Sequence, residues 1–203
     1  QNTGGSANAN ADFAYLGTWS VPNTNTWYQA PEASVFVLGV ASPWASVQSK
    51  GQEQGGTLYY DYSPGSNPST VIAVRPDTSV DQMAGTLNSA QIQVDTSLAK
   101  ATVSASLDLN AYNGVAGKNL TISSNPITTA YSPADLAMFT GNIFVTDTTV
   151  PVLPVSLPGT HSVSGMIMNV DANSLGQAGL VMRFTDPDMG QIGAGAILQG
   201  TVP

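Results

Sequence analysis

Between positions 90 and 110, apolar and polar residues alternate with a period of two. Ala90, Ile92 and Val94 alternate with Gln91, Gln93 and Asp95. Beyond a turn at 96–100, Ala101, Val103, Ala105, Leu107 and Leu109 alternate with Thr102, Ser104, Ser106, Asp108 and Asn110. Successive side chains of a strand point to opposite faces, so the pattern predicts an antiparallel hairpin with one apolar and one wet side. Further strands are predicted at 34–40, 56–62, 70–74, 119–123, 141–146, 161–170, 179–184 and 190–198, where Val, Ile, Thr and Tyr gather between turn residues. Segment 150–158 carries Pro151, Pro154 and Pro158, which suits an extended edge or a crossing loop. One helix is predicted at 132–138, with Ser132 as cap, Pro133 at the first helical position and Asp135 in the first turn.

Punctuated by 20 Gly and 13 Pro, these elements predict an all-β chain. The expected fold is a single antiparallel β-barrel or flattened β-sandwich of about eight to ten strands, with at most one short helix. No fixed-period repeat and no dividing linker interrupt it. Residues 1–15 read as an N-terminal extension or exchangeable strand, and 16–203 as one domain. In that extension Ala7, Ala9, Ala11, Phe13 and Tyr15 alternate with Asn8, Asn10, Asp12 and Ala14. Segment 7–15 would span about 30 Å when extended. It can lie in a groove of its own domain or of a neighbouring copy.

Composition removes several function classes. Charged residues are 9% of the 203, and the net charge is −8, with a pI near 4.1. With no basic cluster, nucleic-acid binding is excluded. A hydrophobic fraction of 42% and a mean hydropathy of +0.04 provide for a sizeable core without disulfides. The lack of Cys excludes disulfides, thiolate metal sites and Cys nucleophiles. No apolar run is long enough for a membrane-spanning helix. Gln1 at the start reads as a chain processed by signal-peptide removal. With the Ser, Thr, Asn, Gln and Gly palette, it predicts an extracellular or cell-surface location.

Chemistry-bearing motifs are sparse. Asp171, Asn173 and Gly176 match the start of a calcium loop, but Leu175 and Met182 stand where ligands are required, which leaves a β-turn. Asp186-Pro187-Asp188 offers two carboxylates and reads as a surface turn. Gly193-Ala194-Gly195 lacks the third glycine and the βαβ setting of a dinucleotide loop, and suits close packing or a bend in a sheet. His161, the only histidine, has no G-x-S-x-G partner and reads as a residue at a strand start. The only glutamates are Glu32 and Glu53, and the aspartates scatter over turns, so paired-carboxylate hydrolysis has no support. Trp27-Tyr28 and Tyr59-Tyr60 suit a stacking platform or barrel packing, and Asn119-Leu120-Thr121 is a formal glycosylation sequon. Met166, Met168, Met182 and His161 offer soft or axial ligands, or core filler. No catalytic, cofactor-binding or metal residue is assigned, and no enzymatic activity is expected.

The stretch GTLNSAQIQVD at 85–95 followed by ATVSASLDLN at 101–110 resembles the C-terminal barrel module of FecR-domain and transferrin-binding-protein-like bacterial surface proteins. Ser164-Gly165-Met166, Ala178-Gly179-Leu180 and Ile192-Gly193-Ala194-Gly195-Ala196 are similar to the closing strands of those modules, roughly over 56–200. Around Ala196-Ile197-Leu198 the chain lacks the Phe usual in their last strand. The resemblance implies an eight-stranded antiparallel barrel or flattened sandwich exposed outside the cell. It carries over no binding residue.

Two functions follow as expectations. One is a secreted structural subunit that self-assembles head-to-tail into a fibre or surface layer, its partners being copies of itself and its assembly strand Ala7, Ala9, Ala11, Phe13 and Tyr15. The alternative is a cell-surface barrel that binds haem, an iron carrier or a host protein.

Overall fold

The structure is a computed structural model and describes residues 14–21, 32–131, 135–150 and 153–202. The elements are β1 (Ala14–Val21), β2 (Glu32–Gly39), α1 (Trp44–Glu53), β3 (Thr57–Asp61), β4 (Ser69–Val74), β5 (Val80–Asp81), β6 (Gly85–Asp95) and β7 (Lys100–Leu109). They continue with β8 (Lys118–Ser124), β9 (Ile127–Thr128), β10 (Ala130–Tyr131), β11 (Leu136–Asp147), β12 (Val155–Ser156), β13 (His161–Met168), β14 (Gln177–Asp186) and β15 (Gly190–Thr201).

Hydrogen-bonded neighbours run β14, β13, β11, β8, β7, β6, β3 and β15, and β15 returns to β14. The chain is therefore an eight-stranded antiparallel barrel with extra strands, and closure removes the sheet edges that invite association. One stave is split. Gln199, Gly200 and Thr201 of β15 pair with β3, while its residues from Gln191 to Ala196 pair with β4.

Alternation explains the wall. Ala90, Ile92 and Val94 face Ala105, Val103 and Ala101 across the β6–β7 ladder, and all six lie in the core. The ladder slips between Leu87 and Ser89. This one-residue bulge keeps Leu87 and Ala90 both inward although they are three positions apart. Leu58, Tyr60, Leu120, Phe139, Leu180 and Leu198 fill the same interior, each contributing about 1.5–3 kcal/mol on burial. Phe139 lies opposite Gly165, and a side chain at Gly165 would collide with its ring.

α1 closes one mouth. Pro43 precedes it without a side-chain cap, and only Val47 and Gly51 are buried. Gly51 rests on Thr96, leaving no space for a Cβ. The Thr96 hydroxyl in turn donates to the Gly56 carbonyl at 2.9 Å. The connection into the helix is pinned to β13: Ser42 N–H donates to the Ile167 carbonyl, and Ser42 Oγ accepts from Val170 N–H at 2.9 Å.

β1 and β2 form a separate two-stranded sheet on the outside of the barrel. Leu16 and Val35 join Ile72, Met168 and Ile197 in a second apolar cluster beneath it. The hairpin sits close because Gly179 and Gly195 have no side chains: a Cβ at either would strike Val37 or Val35. The glycines of the Gly193-Ala194-Gly195 stretch thus serve packing.

The predicted strands are observed with small changes of boundary, and the described part of segment 150–158 holds the two-residue edge strand β12. The predicted helix at 132–138 is corrected: 132–134 lie outside the described residues, and Leu136, Ala137 and Met138 open β11. There Ala137 and Phe139 face the core while Met138 and Thr140 face out, so period two overrides the capping signal. The helix forms instead at α1, where no helix was expected.

Candidate functional site

The mouth opposite α1 is closed by charge. Lys118, at the start of β8, donates to both carboxylate oxygens of Asp186 at 2.9 Å and to Asp188 at 2.8 Å. Asp186 is fully buried, and its Oδ1 also accepts the backbone N–H groups of Asp188 and Met189 at 2.9 Å. Burial works against the Lys118 charge, but the Asp188 and Asp186 carboxylates outweigh it and hold the ammonium above its usual range. Nearby, buried Arg75 pairs with Asp81 at 2.6 Å, meets Met189 Sδ at 3.4 Å and lies 4.5 Å from the centre of the Tyr112 ring. Asp186-Pro187-Asp188, expected as a surface turn, is a turn whose first carboxylate is a buried anchor. No charge pattern along the chain signals it, because Lys118 is 68 positions away.

Side chains of the core cluster fill the barrel interior, with α1 packed at one end and the Lys118–Asp186 pair at the other. A depression lies in the wall at β11. On one flank the β8 ladder with β11 runs from Leu120 to Ser124, and the chain then turns through Asn125 and Pro126. It resumes as β9 on β7 and β10 on Ala137 and Leu136. On the other flank Asp147 and Thr146 pair with β12, and Leu157 N–H still reaches the Val145 carbonyl at 2.8 Å. Pairing resumes only at His161 with Ile143. Between them Gly159 turns with φ +107°, a left-handed geometry suited to glycine. Both neighbours of β11 thus leave it at the same height. A cavity of about 450 Å³ opens there, lined by Asn125–Ile127, Gly141–Val145, Ser156, Leu157 and Gly159–His161.

His161 forms part of this lining and is 3% exposed. Its Nε2 lies 3.3 Å from the Leu157 carbonyl, and its ring meets Phe184 edge-on with centroids 6.2 Å apart. Phe144 also lines the cavity and is 54% exposed. Exposed Val150, Leu153 and Val155 follow in the next turn of chain.

The other sequence candidates disperse. Asp171 and Ser174 exchange backbone hydrogen bonds, and Asp171 Oδ1 accepts Asn173 N–H at 2.7 Å, which makes this segment a turn. Met182 points into the barrel core, whereas Met166 and Met168 belong to the cluster beneath the hairpin. Among the described residues no group of three or more His, Asp or Glu is placed to hold a metal. Tyr60 is buried in the core, where burial pushes its phenol well above the usual range. It therefore offers no stacking surface. Trp27 and Tyr28 lie outside the described residues, as do Ala7, Ala9, Ala11 and Phe13 of the assembly strand. Tyr15 lies on β1, opposite Leu38 of the same chain and with its ring 6.1 Å from that of Phe36.

No family model matches the chain, and no curated protein matches it. Two solved structures of the vaccine antigen Transferrin Binding Protein B from Haemophilus parasuis Hp5 align with it. A double alanine mutant gives a TM-score of 0.46 at 15% identity, covering 96% of this chain and 33% of that one. A single Trp-to-Ala mutant gives 0.47 at 16%, covering 96% and 34%. The chain spans about a third of the length of those proteins. Of the eight-stranded barrel and flattened sandwich that the sequence resemblance implies, the barrel is the fold observed, while no match links the chain to FecR-domain proteins.

Proposed function

We propose that this chain is a non-enzymatic, cell-surface binding barrel that holds a protein partner, an iron carrier or another host protein, against its outer wall at β11 and β12. One contrast supports the reading. The interior holds a continuous apolar core, whereas Phe144, which lines the wall cavity, and Val150, Leu153 and Val155 in the chain that follows are exposed. Exposed apolar clusters next to a depression are the usual anchor points of protein interfaces. The filled axis argues against haem held inside the barrel.

The sequence resemblance makes transferrin the first partner to assay, by surface plasmon resonance with the chain immobilised. Phe144→Ala with Leu153→Ala weakens binding by about tenfold or more and leaves the melting temperature unchanged. Binding insensitive to both substitutions overturns the site, and silence toward a panel of iron carriers overturns that partner class.

A second reading is head-to-tail self-assembly into an extracellular fibre or surface layer. It draws on β2, which has a ladder partner on one side only among the described residues. Electron microscopy of concentrated protein decides it: fibres support assembly, and monodisperse particles remove it.

A further inference from the structure

Three depressions lie in a row along the open edge of β2. The first, of about 150 Å³, lies between Ala33 and the outer wall at Ser162 and Arg183. The second, of about 250 Å³, sets Val35 and Phe36 against Ser164 and Val181. The third, of about 110 Å³, lies between Val37 and the wall at Thr140 and Met166. Ser162 and Arg183 line both the first and the second, and Ser164 and Val181 both the second and the third, so the row is one trough. β2 forms its upper bank and has a ladder partner only in β1 among the described residues. A strand laid in the trough gains main-chain hydrogen bonds from that bank and side-chain contact from the floor.

The floor restricts what such a strand carries. Ser162, Ser164 and Gly179 are small, and the depressions above them suit small side chains. Residues 7–13, outside the described residues, have that pattern: Ala7, Ala9 and Ala11 alternate with Asn8, Asn10 and Asp12 and lead to Phe13. Opposed residues of an antiparallel pair share a face. With Ala11 opposite Val35 and Ala9 opposite Val37, both of which pack toward the wall, the alanines turn to the floor. Phe13 then falls opposite Ala33, at the end lined by Phe184 and Ile192. Asp12 falls beside Ser34, whose hydroxyl accepts from Arg183. Among the described residues Arg183 forms no ion pair, so the Asp12 carboxylate supplies its counter-charge. The same chain cannot fill its own trough in this order. Ala14 is held opposite Gly39, about 20 Å along β2 from Ala33, and one peptide link from Phe13 reaches only about 3.8 Å. We propose that the trough receives residues 7–13 of a second copy as an antiparallel third strand on β2. The proposal rests on the self-assembly reading and names its receiving surface.

The chain has no cysteine, so introduced thiols report single contacts. In this register Asn8 stands opposite Leu38, with Cβ atoms about 5 Å apart, and Leu38 is exposed, so its replacement leaves the core untouched. Full chains carrying Asn8→Cys are mixed with full chains carrying Leu38→Cys under mild oxidation. A disulfide-linked heterodimer is expected at about ten times the yield obtained with Ser104→Cys, an exposed position on β7. Adding Ser164→Trp to the Leu38→Cys chain fills the floor and abolishes the link. Adding Asp12→Arg to the Asn8→Cys chain lowers the yield about threefold, and Arg183→Asp in the receiving chain restores it. A yield no higher than that of Ser104→Cys overturns the proposal. So does a disulfide that closes only within one chain when Asn8→Cys and Leu38→Cys are combined. Fibres in electron microscopy without the link leave self-assembly standing and remove this surface. The link without fibres keeps the surface, as a closed pair of copies, and removes the fibre.

Discussion

At one end of the barrel α1 sets Val47 and Gly51 against the core and Thr96, and its ion pair, Lys50 with Glu53, has a half-exposed carboxylate. At the other end Lys118 and Arg75, two of only five basic residues, tie Asp186, Asp188 and Asp81 together beneath β8, β14 and β5. The first closure depends on shape and is insensitive to pH and salt. The second depends on matched charges removed from water, where a complete set is tolerable and a broken one is costly. A chain this poor in cations places one of them, Lys118, where its loss would leave the buried Asp186 carboxylate unpaired.

The largest effect is expected from Lys118→Met. It strands Asp186 and lowers unfolding stability by about 3 kcal/mol in urea titrations, while adding Asp186→Leu restores most of the loss. A single-variant loss under about 1 kcal/mol would show that the charged end is no more than a surface network. Gly51→Val tests the shape-dependent end. Its new side chain meets Thr96 and costs about 2 kcal/mol through overpacking, with the pH profile of stability left unchanged. The smallest effect belongs to Asp77→Asn. The Ser79 hydroxyl, then Tyr112 and the Ser79 N–H, hold the Asp77 carboxyl at about 2, below its ordinary 3.8. Its stabilisation is therefore present above the ordinary value and lost as pH falls toward 2. Thermal melts should place the variant slightly below the parent at neutral pH and level with it at pH 2. A gap that widens in acid refutes the sign.

The barrel wall was legible because each face of its strands meets one environment. The inward set of the 90–110 hairpin reads directly from the sequence, whereas the bulge between Leu87 and Ser89 lies before that run and shows only in the register of the ladder. α1 was not legible. It buries only Val47 and Gly51, so it has no apolar stripe, and Pro43 supplies no capping oxygen. Much of β1 escaped as well, because Gly17 stands where an alternating strand would carry a side chain, leaving space filled by the Phe36 ring. The wall cavity arises from two ladder breaks on either side of β11, at Pro126 and Gly159. Each is an ordinary turn signal alone, and only the fold sets them at one height. The surroundings of His161 include the Leu157 carbonyl, 3.3 Å away, a backbone group that no side-chain pattern reports.

The seat of the β1–β2 hairpin has a mechanical consequence. It rests on side-chain contact over Gly179 and Gly195, with Arg183 to Ser34 and Gln82 to Ser20 as polar ties. Among the described residues no ladder joins it to the closed sheet. Under a pull from the N-terminal side the hairpin is therefore expected to detach as a tab before the closed sheet yields, giving up the burial of Leu16 and Val35 while the barrel ladders stay intact.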